Sequence, residues 1–261
     1  MIQHILVAHD LSSEADVALG RAAQLAHQTG ARLSLLHVLD AIDEALALAQ
    51  LQARLDELGL GDLQPWIRQG RVAEEVITQA CGLEADLLVL GRHHRQSAEG
   101  FAGTTLERIL LATPAPLLLA VNPVGTPYSR ALAALDFSPC ASRALQSAWG
   151  LLPTGACLRA LNIVEIAEIH APDEAELTLQ GELFGQLVED IQLTLDERGV
   201  ALETRLLQGE RSNCLDTELH EWRPQLLALG GHSRGEMSNA LLGSLTRQYL
   251  EQPPCDILIA R

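Results

Sequence analysis

Residues 5–26, ILVAHDLSSEADVALGRAAQLA, are answered by residues 131–152, ALAALDFSPCASRALQSAWGLL. At a constant offset of 126 the two stretches share Ala8/Ala134, Asp10/Asp136, Ser12/Ser138, Ala15/Ala141, Ala18/Ala144, Leu19/Leu145 and Ala22/Ala148. Each opens as an apolar strand, passes through Asp and Ser, and continues with helical period. Ala15, Ala18, Leu19, Ala22, Leu25 and Ala26 make one apolar face, and Ala141, Ala144, Leu145, Ala148, Leu151 and Leu152 repeat its spacing. Ser12 and Ser138 stand where an N-cap is wanted, and Pro139 suits the first helical position, where a missing N–H costs nothing.

The correspondence extends outward. GRHHRQSAEGFAGTT at 91–105 is matched by GGHSRGEMSNALLGS at 230–244, and the closing run PLLLAV at 116–121 by DILIA at 256–260. A repeat of this length is a whole domain, too long for a solenoid unit. The 261 residues therefore divide into domains at 1–122 and 128–261, joined by NPVGTP at 122–127.

Within the first half, strands are expected at Ile2–Ala8, Arg32–Leu39, more weakly Leu63–Arg68, Asp86–Leu90 and Pro116–Val121, with helices between them. In the second half a helix is expected over Asp173–Gly199, burying Leu183, Phe184, Leu187, Val188, Ile191 and Leu195. Continuous Leu/Val/Ile strands alternating with helices imply an α/β fold: two tandem doubly wound five-stranded parallel-sheet domains. Ligands of such sheets lie beyond the carboxyl ends of the strands.

Composition narrows the function. All 18 basic residues are arginine, which removes a phosphate-binding P-loop lysine, a Schiff-base lysine and a lysine general base. The net charge is −16, from 15 acidic and eight basic residues in 1–122 (−7) and 19 and ten in the rest (−9). Acidity spread over both halves opposes a nucleic-acid partner or an anionic membrane. No run approaches the roughly 18 apolar residues of a membrane span, and MIQHILVAH lacks the features of a leader, so a cytoplasmic location is expected. The cysteines at 81, 140, 157, 214 and 255 follow no disulfide or zinc pattern and are expected to be core thiols; Trp66, Trp149 and Trp222 are expected to pack on the sheets.

Candidate chemistry collects after strands one, two and four. Asp10 and Asp136 end the first strands, His37–Val38 and Asn162–Ile163 the second. The fourth strands end at Gly91 and Gly230, opening loops that close on Gly103–Thr104–Thr105 and Gly243–Ser244 at a helix start. Small residues there let the backbone reach a phosphate, assisted by the helix dipole. Asp10 and Asp136 are equally suited to ordering the strand-to-helix loop, and Ser12 and Ser138 to capping. The adjacent His93 and His94 do not make a metal site, having no nearby carboxylate or cysteine to complete a ligand set. Asp173, Glu174 and Glu176 read as the acidic start of a helix.

These residues resemble the universal stress protein family in its tandem form, over essentially the whole chain. The resemblance implies strand order 3-2-1-4-5, a pseudo-twofold pairing of the halves as an intramolecular pseudo-dimer, with a homodimer as a further option, and in one subgroup ATP held by a loop of pattern G-x2-G-x9-G-[ST]. The second half matches as Gly230-x2-Ser233-x9-Gly243-Ser244, with serine for the second glycine. The first half reads Gly91-x2-His94-x8-Gly103-Thr104, one residue shorter in its spacer. The implied contacts to ATP or AMP, with magnesium only alongside the nucleotide, are Ala134, Leu135, Asp136, Ile163, Leu229, Gly230, His232, Ser233, Gly243, Ser244, Leu245 and Thr246. A less complete set in the first half is Asp10, Val38, Gly91, Gly103 and Thr104. The reading is a non-enzymatic stress-response protein acting through conformation or partner contacts. Its rivals are a nucleotide-hydrolysing enzyme on the same sheet and a module for an apolar or lipid-like ligand in the first-half cleft.

Overall fold

A computed structural model describes residues 2–39, 43–92, 104–123, 126–165, 174–231 and 242–261. The chain forms two compact units, Met1–Pro127 with Leu250–Ile257, and Tyr128–Tyr249 with Leu258–Arg261. In the first half the order is β1 (His4–Ala8), α1 (Ser13–Thr29), β2 (Arg32–Leu39), α2 (Glu44–Glu57), β3 (Trp66–Gln69), α3 (Val72–Gly82), β4 (Leu87–Gly91), α4 (Thr105–Ala112) and β5 (Leu117–Ala120). The second half gives β6 (Arg130–Ala134), α5 (Pro139–Gly150), β7 (Cys157–Val164), α6 (Glu174–Gln192), β8 (Ala201–Gln208), α7 (Arg211–Trp222), β9 (Leu226–Gly230), α8 (Ser244–Glu251) and β10 (Asp256–Ala260).

Strand order is β3-β2-β1-β4-β5 in the first half and β8-β7-β6-β9-β10 in the second, the 3-2-1-4-5 topology both times. The registers coincide. Ile5 stands opposite Leu33 and Leu87, and Ala131 opposite Leu158 and Leu226, in parallel ladders. Ile5, Leu6, Val7 and Leu87–Val89 are buried, as are Ala131–Ala133 and Leu226–Ala228, because helices cover both faces of these central strands.

The first helix of each unit is shaped by its cap. Ser12 Oγ accepts from the Ala15 amide and Ser138 Oγ from the Ala141 amide, each at 3.2 Å. Ala15, Ala18, Leu19, Ala22 and Leu25 are buried on α1, with Ala26 half-buried; Ala141, Ala144, Leu145 and Ala148 are buried on α5, and Leu151 and Leu152 just beyond its end.

Several expectations need correction. The helix expected to run to Gly199 ends at Gln192, leaving Leu195 outside it; Leu183 is 44% exposed, so the buried stripe is Phe184, Val188 and Ile191. The chain leaves the helix to meet the end of α5: the Trp149 indole donates to the Asp196 carbonyl and carboxylate, and Arg198 Nη1 to the Gly150 carbonyl. Trp149 is buried, whereas Trp66 is 37% exposed beneath Arg68 and Trp222 is half-buried beneath Arg159, so arginines do stack on two of the three indoles. Cys255 is the one buried cysteine; Cys81 is exposed and the others intermediate, all five free. No helix among the described residues is long and apolar enough to cross a membrane.

Candidate functional site

The site begins at the turn after the first strand. Asp10 Oδ1 accepts from the Ser12 amide at 3.1 Å and Asp136 Oδ1 from the Ser138 amide at 3.1 Å. The residues between, Leu11 (φ 68°) and Phe137 (φ 63°), adopt left-handed backbone at a cost of about 1–2 kcal/mol. Carboxylate, turn and serine cap form one device, present twice. Asp10 also accepts from the Ser12 hydroxyl. The loop-ordering role open to these acids is therefore realised in both units, with each carboxylate at the carboxyl edge of its sheet.

Gly91 and Gly230 close the fourth strands. A Cβ on Gly91 would lie 2.3 Å from the Glu14 carbonyl oxygen, and one on Gly230 would lie 2.8 Å from the Ala141 amide nitrogen. These neighbours are backbone, so they cannot swing aside. Both glycines let the strand end pack against the first turn of the capped helix, and that role is independent of a phosphate.

The segments that follow are equal in length. From Gly91 to the first residue of α4, Thr105, is the same count as from Gly230 to the first residue of α8, Ser244. Backbone bonds confirm the register, Arg108 N–H to Thr104 O at 3.1 Å and Arg247 N–H to Gly243 O at 3.0 Å. Thr104 thus corresponds to Gly243, and the one-residue shortening read from the glycine pattern is a shift in where the glycine falls. Thr104 Oγ1 accepts from the Glu107 amide at 3.1 Å, committing the hydroxyl to capping. In the second unit glycine takes that position and offers no side chain.

Each unit has a cavity at this end of its strands. The second-unit cavity is about 200 Å³. It brings together Ala134, Leu135 and Asp136 at the end of β6, Ile163 on β7, Leu229 and Gly230 on β9, and Gly243, Ser244, Leu245 and Thr246 at the start of α8. His232 and Ser233 lie outside the described residues. The sequence missed Glu165, Glu210, Arg211 and Gln248, which also line it. Their chemistry is spent locally. Glu165 pairs with Arg211 at 2.8 Å, and Glu210 caps α7 by accepting from the Ser212 and Asn213 amides, bonds that hold its carboxyl below the usual range. The Thr246 hydroxyl donates to the Gly230 carbonyl at 2.9 Å, tying α8 to β9.

The first-unit cavity is larger, about 450 Å³, within the span of small-molecule sites. Asp10, Val38 and Gly91 line it; Thr104 does not, its place being taken by Thr105, and Gly103, His93 and His94 lie outside the described residues. The remaining walls are mainly apolar: Ala8, Ala15, Leu36, Val72, Val76, Leu90, Leu106 and Ile109.

Two histidines stand on this wall: His37, already placed at the end of the second strand, and His9, which the sequence did not single out. His9 receives the Leu11 amide on Nδ1 at 3.0 Å, so its Nε2 bears the proton and donates to Asp16 Oδ1 at 3.0 Å. Burial pulls the His9 pKa below its ordinary 6.5, outweighing the raising effect of Asp16, so this contact is a neutral N–H to carboxylate bond. Arg54 holds Asp16 from the other side. His37 donates from Nδ1 to the His9 carbonyl at 2.7 Å. In the second unit Asn162 Nδ2 donates to the Leu135 carbonyl at 2.7 Å, the same bond at the same place.

A third hollow, on the α7 side of β8, is open and lined by ion pairs. Arg159 donates to Glu203 at 2.8 Å and Glu218 at 2.6 Å, and burial beside Glu203 pushes the Cys157 thiol up to about 11. Among the described residues, no group of three or more His, Cys, Asp or Glu is placed to hold a metal ion.

A model of the universal stress protein family matches residues 1–64, 40–120 and 127–261. A universal stress protein of Thermus aquaticus, encoded in the QAH/OAS sulfhydrylase 3' region, is 28% identical over 135 residues, 46% of this chain and 98% of its own. Among solved structures, a universal stress protein from Archaeoglobus fulgidus shares the fold with a TM-score of 0.64 at 16% identity, over 99% of this chain and 96% of that one. A putative universal stress protein from Pseudomonas aeruginosa gives 0.65 at 19% identity, over 99% and 93%. With both halves matched by the family model and the 3-2-1-4-5 topology repeated, the chain belongs to the universal stress protein family.

Proposed function

We propose that this universal stress protein binds an adenine nucleotide in its second unit and acts through the conformation that binding selects, without catalysis. The observation that carries the reading is convergence. Three separate stretches, 134–136, 229–230 and 243–246, meet with Ile163 around one cavity at the carboxyl edge of the sheet. The cavity is smaller than the roughly 300–1,000 Å³ of typical ligand pockets, so it takes the base and part of the sugar, leaving the phosphates along its mouth. There the first turn of α8 opens with Gly243 rather than a capping side chain, and its amides can receive an anion. Among the described lining residues, the carboxylates of Asp136, Glu165 and Glu210 each have a local partner.

The test is mass spectrometry of small molecules released from the purified, denatured chain. Recovery of ATP or AMP at one equivalent supports the reading. Recovery of no nucleotide, together with no binding of added ATP, refutes it.

A further inference from the structure

His37 is 4% exposed, lines the first-unit cavity, and has no hydrogen-bond partner for Nε2 among the described residues. Its Nδ1 must carry a proton, because the His9 carbonyl it faces can only accept. With the proton on Nδ1, Nε2 of the uncharged imidazole form is an acceptor, and it is buried on the cavity wall. An unpaired buried acceptor is costly, and a ligand donating to it recovers that cost. The second unit shows that the structural half of the job needs no imidazole, since Asn162 makes the matching bond to Leu135 and does not line its cavity. What histidine adds in the first unit is the second nitrogen.

The walls define the rest of the ligand. Val72, Val76 and Ile109 stand where the second unit has Arg211, Leu215 and Gln248, so two polar wall positions become apolar. The charged groups of the lining, Asp10 and Arg92, are exposed at the mouth. Among the described residues the interior carries no charge, which disfavours an ion and suits a desolvated apolar body. We propose that the first-unit cavity binds an uncharged, largely apolar molecule whose one hydrogen-bond donor, a hydroxyl or N–H, is received by His37 Nε2. This site is separate from the nucleotide reading and stands or falls without it.

The experiment uses the full chain and two fluorescent probes of nearly equal shape, 2-naphthol and 2-methoxynaphthalene, the second lacking the donor. At neutral pH 2-naphthol is expected to bind about tenfold more tightly than the ether, the effect of one buried hydrogen bond. H37N, which keeps the bond Asn162 makes, is expected to abolish that preference and leave the ether's affinity unchanged. V72R, at an exposed position on the cavity wall, is expected to weaken both probes alike. The His37 Nε2 resonance of the unmodified chain should shift with 2-naphthol and not with the ether, a readout that requires no variant. Equal affinities in the unmodified chain, no binding of either probe up to about 1 mM, a preference that survives H37N, or displacement of 2-naphthol by AMP would overturn the proposal.

Discussion

Gly230 lies so close to Ala141 that a Cβ on it would come within 2.8 Å of the Ala141 amide nitrogen, and Gly91 is closer still to Glu14. The first glycine of each loop is thus a packing residue of the β-strand against the capped helix. G91A and G230A should each destabilise the chain by about 1–3 kcal/mol, the cost of overpacking a site whose neighbours are backbone. Denaturant unfolding checks this. Unchanged midpoints would show that the strand ends yield.

Asp256 is fully buried and belongs to the first compact unit, where it accepts from Arg21 Nε at 3.1 Å and from the amides of Val121 and Asn122 at 2.9 and 3.0 Å. R21M should cost roughly 3–5 kcal/mol by leaving a buried carboxylate without its cation. D256N, which keeps an acceptor for the amides, should cost less. The two unfolding curves are measured side by side, and the reverse order would contradict the account.

His9 has a folded pKa below 6.5 because it is buried. The unfolded chain therefore binds more protons than the folded one in that range, so this contribution to stability is present above 6.5 and lost as pH falls through the folded value. H9Q should unfold with a shallower pH dependence than the unmodified chain on the acid side of 6.5. Parallel pH profiles of the unfolding midpoint would count against this assignment.

With magnesium and ATP the protein should turn over no faster than about one event per minute, against a typical enzyme median of roughly 10 per second. Phosphate release measured on the unmodified chain and on D136A decides it. Enzyme-rate hydrolysis abolished by D136A would show catalysis.

The repeat carried most of the fold in readable form. Asp–X–Ser followed by an alanine-rich apolar face gave the strand, turn, cap and helix of both units, since each feature is local and sets its own periodicity. Strand β2 was legible to its end residues because it is long and mostly apolar, whereas the short β3 was displaced toward Trp66–Gln69. The early end of α6 is a tertiary effect, imposed by Trp149 and Arg198 from outside the segment. At the site, the glycine pattern pointed to the right strand ends but misjudged loop register, which only the bonds of Thr104 and Gly243 reveal. The pairing of His37 with His9, and its echo in Asn162 and Leu135, joins residues across strands and left no mark in local sequence.

Calorimetric titration of ATP into the full chain, G243V and H37N tests the central claim, that the halves share a fold but differ in what they bind. The account predicts one ATP per chain, lost in G243V, where a branched side chain stands at the phosphate end of the second-unit cavity, and retained in H37N. No binding by the unmodified chain, two equivalents per chain, or loss in H37N with retention in G243V would contradict it.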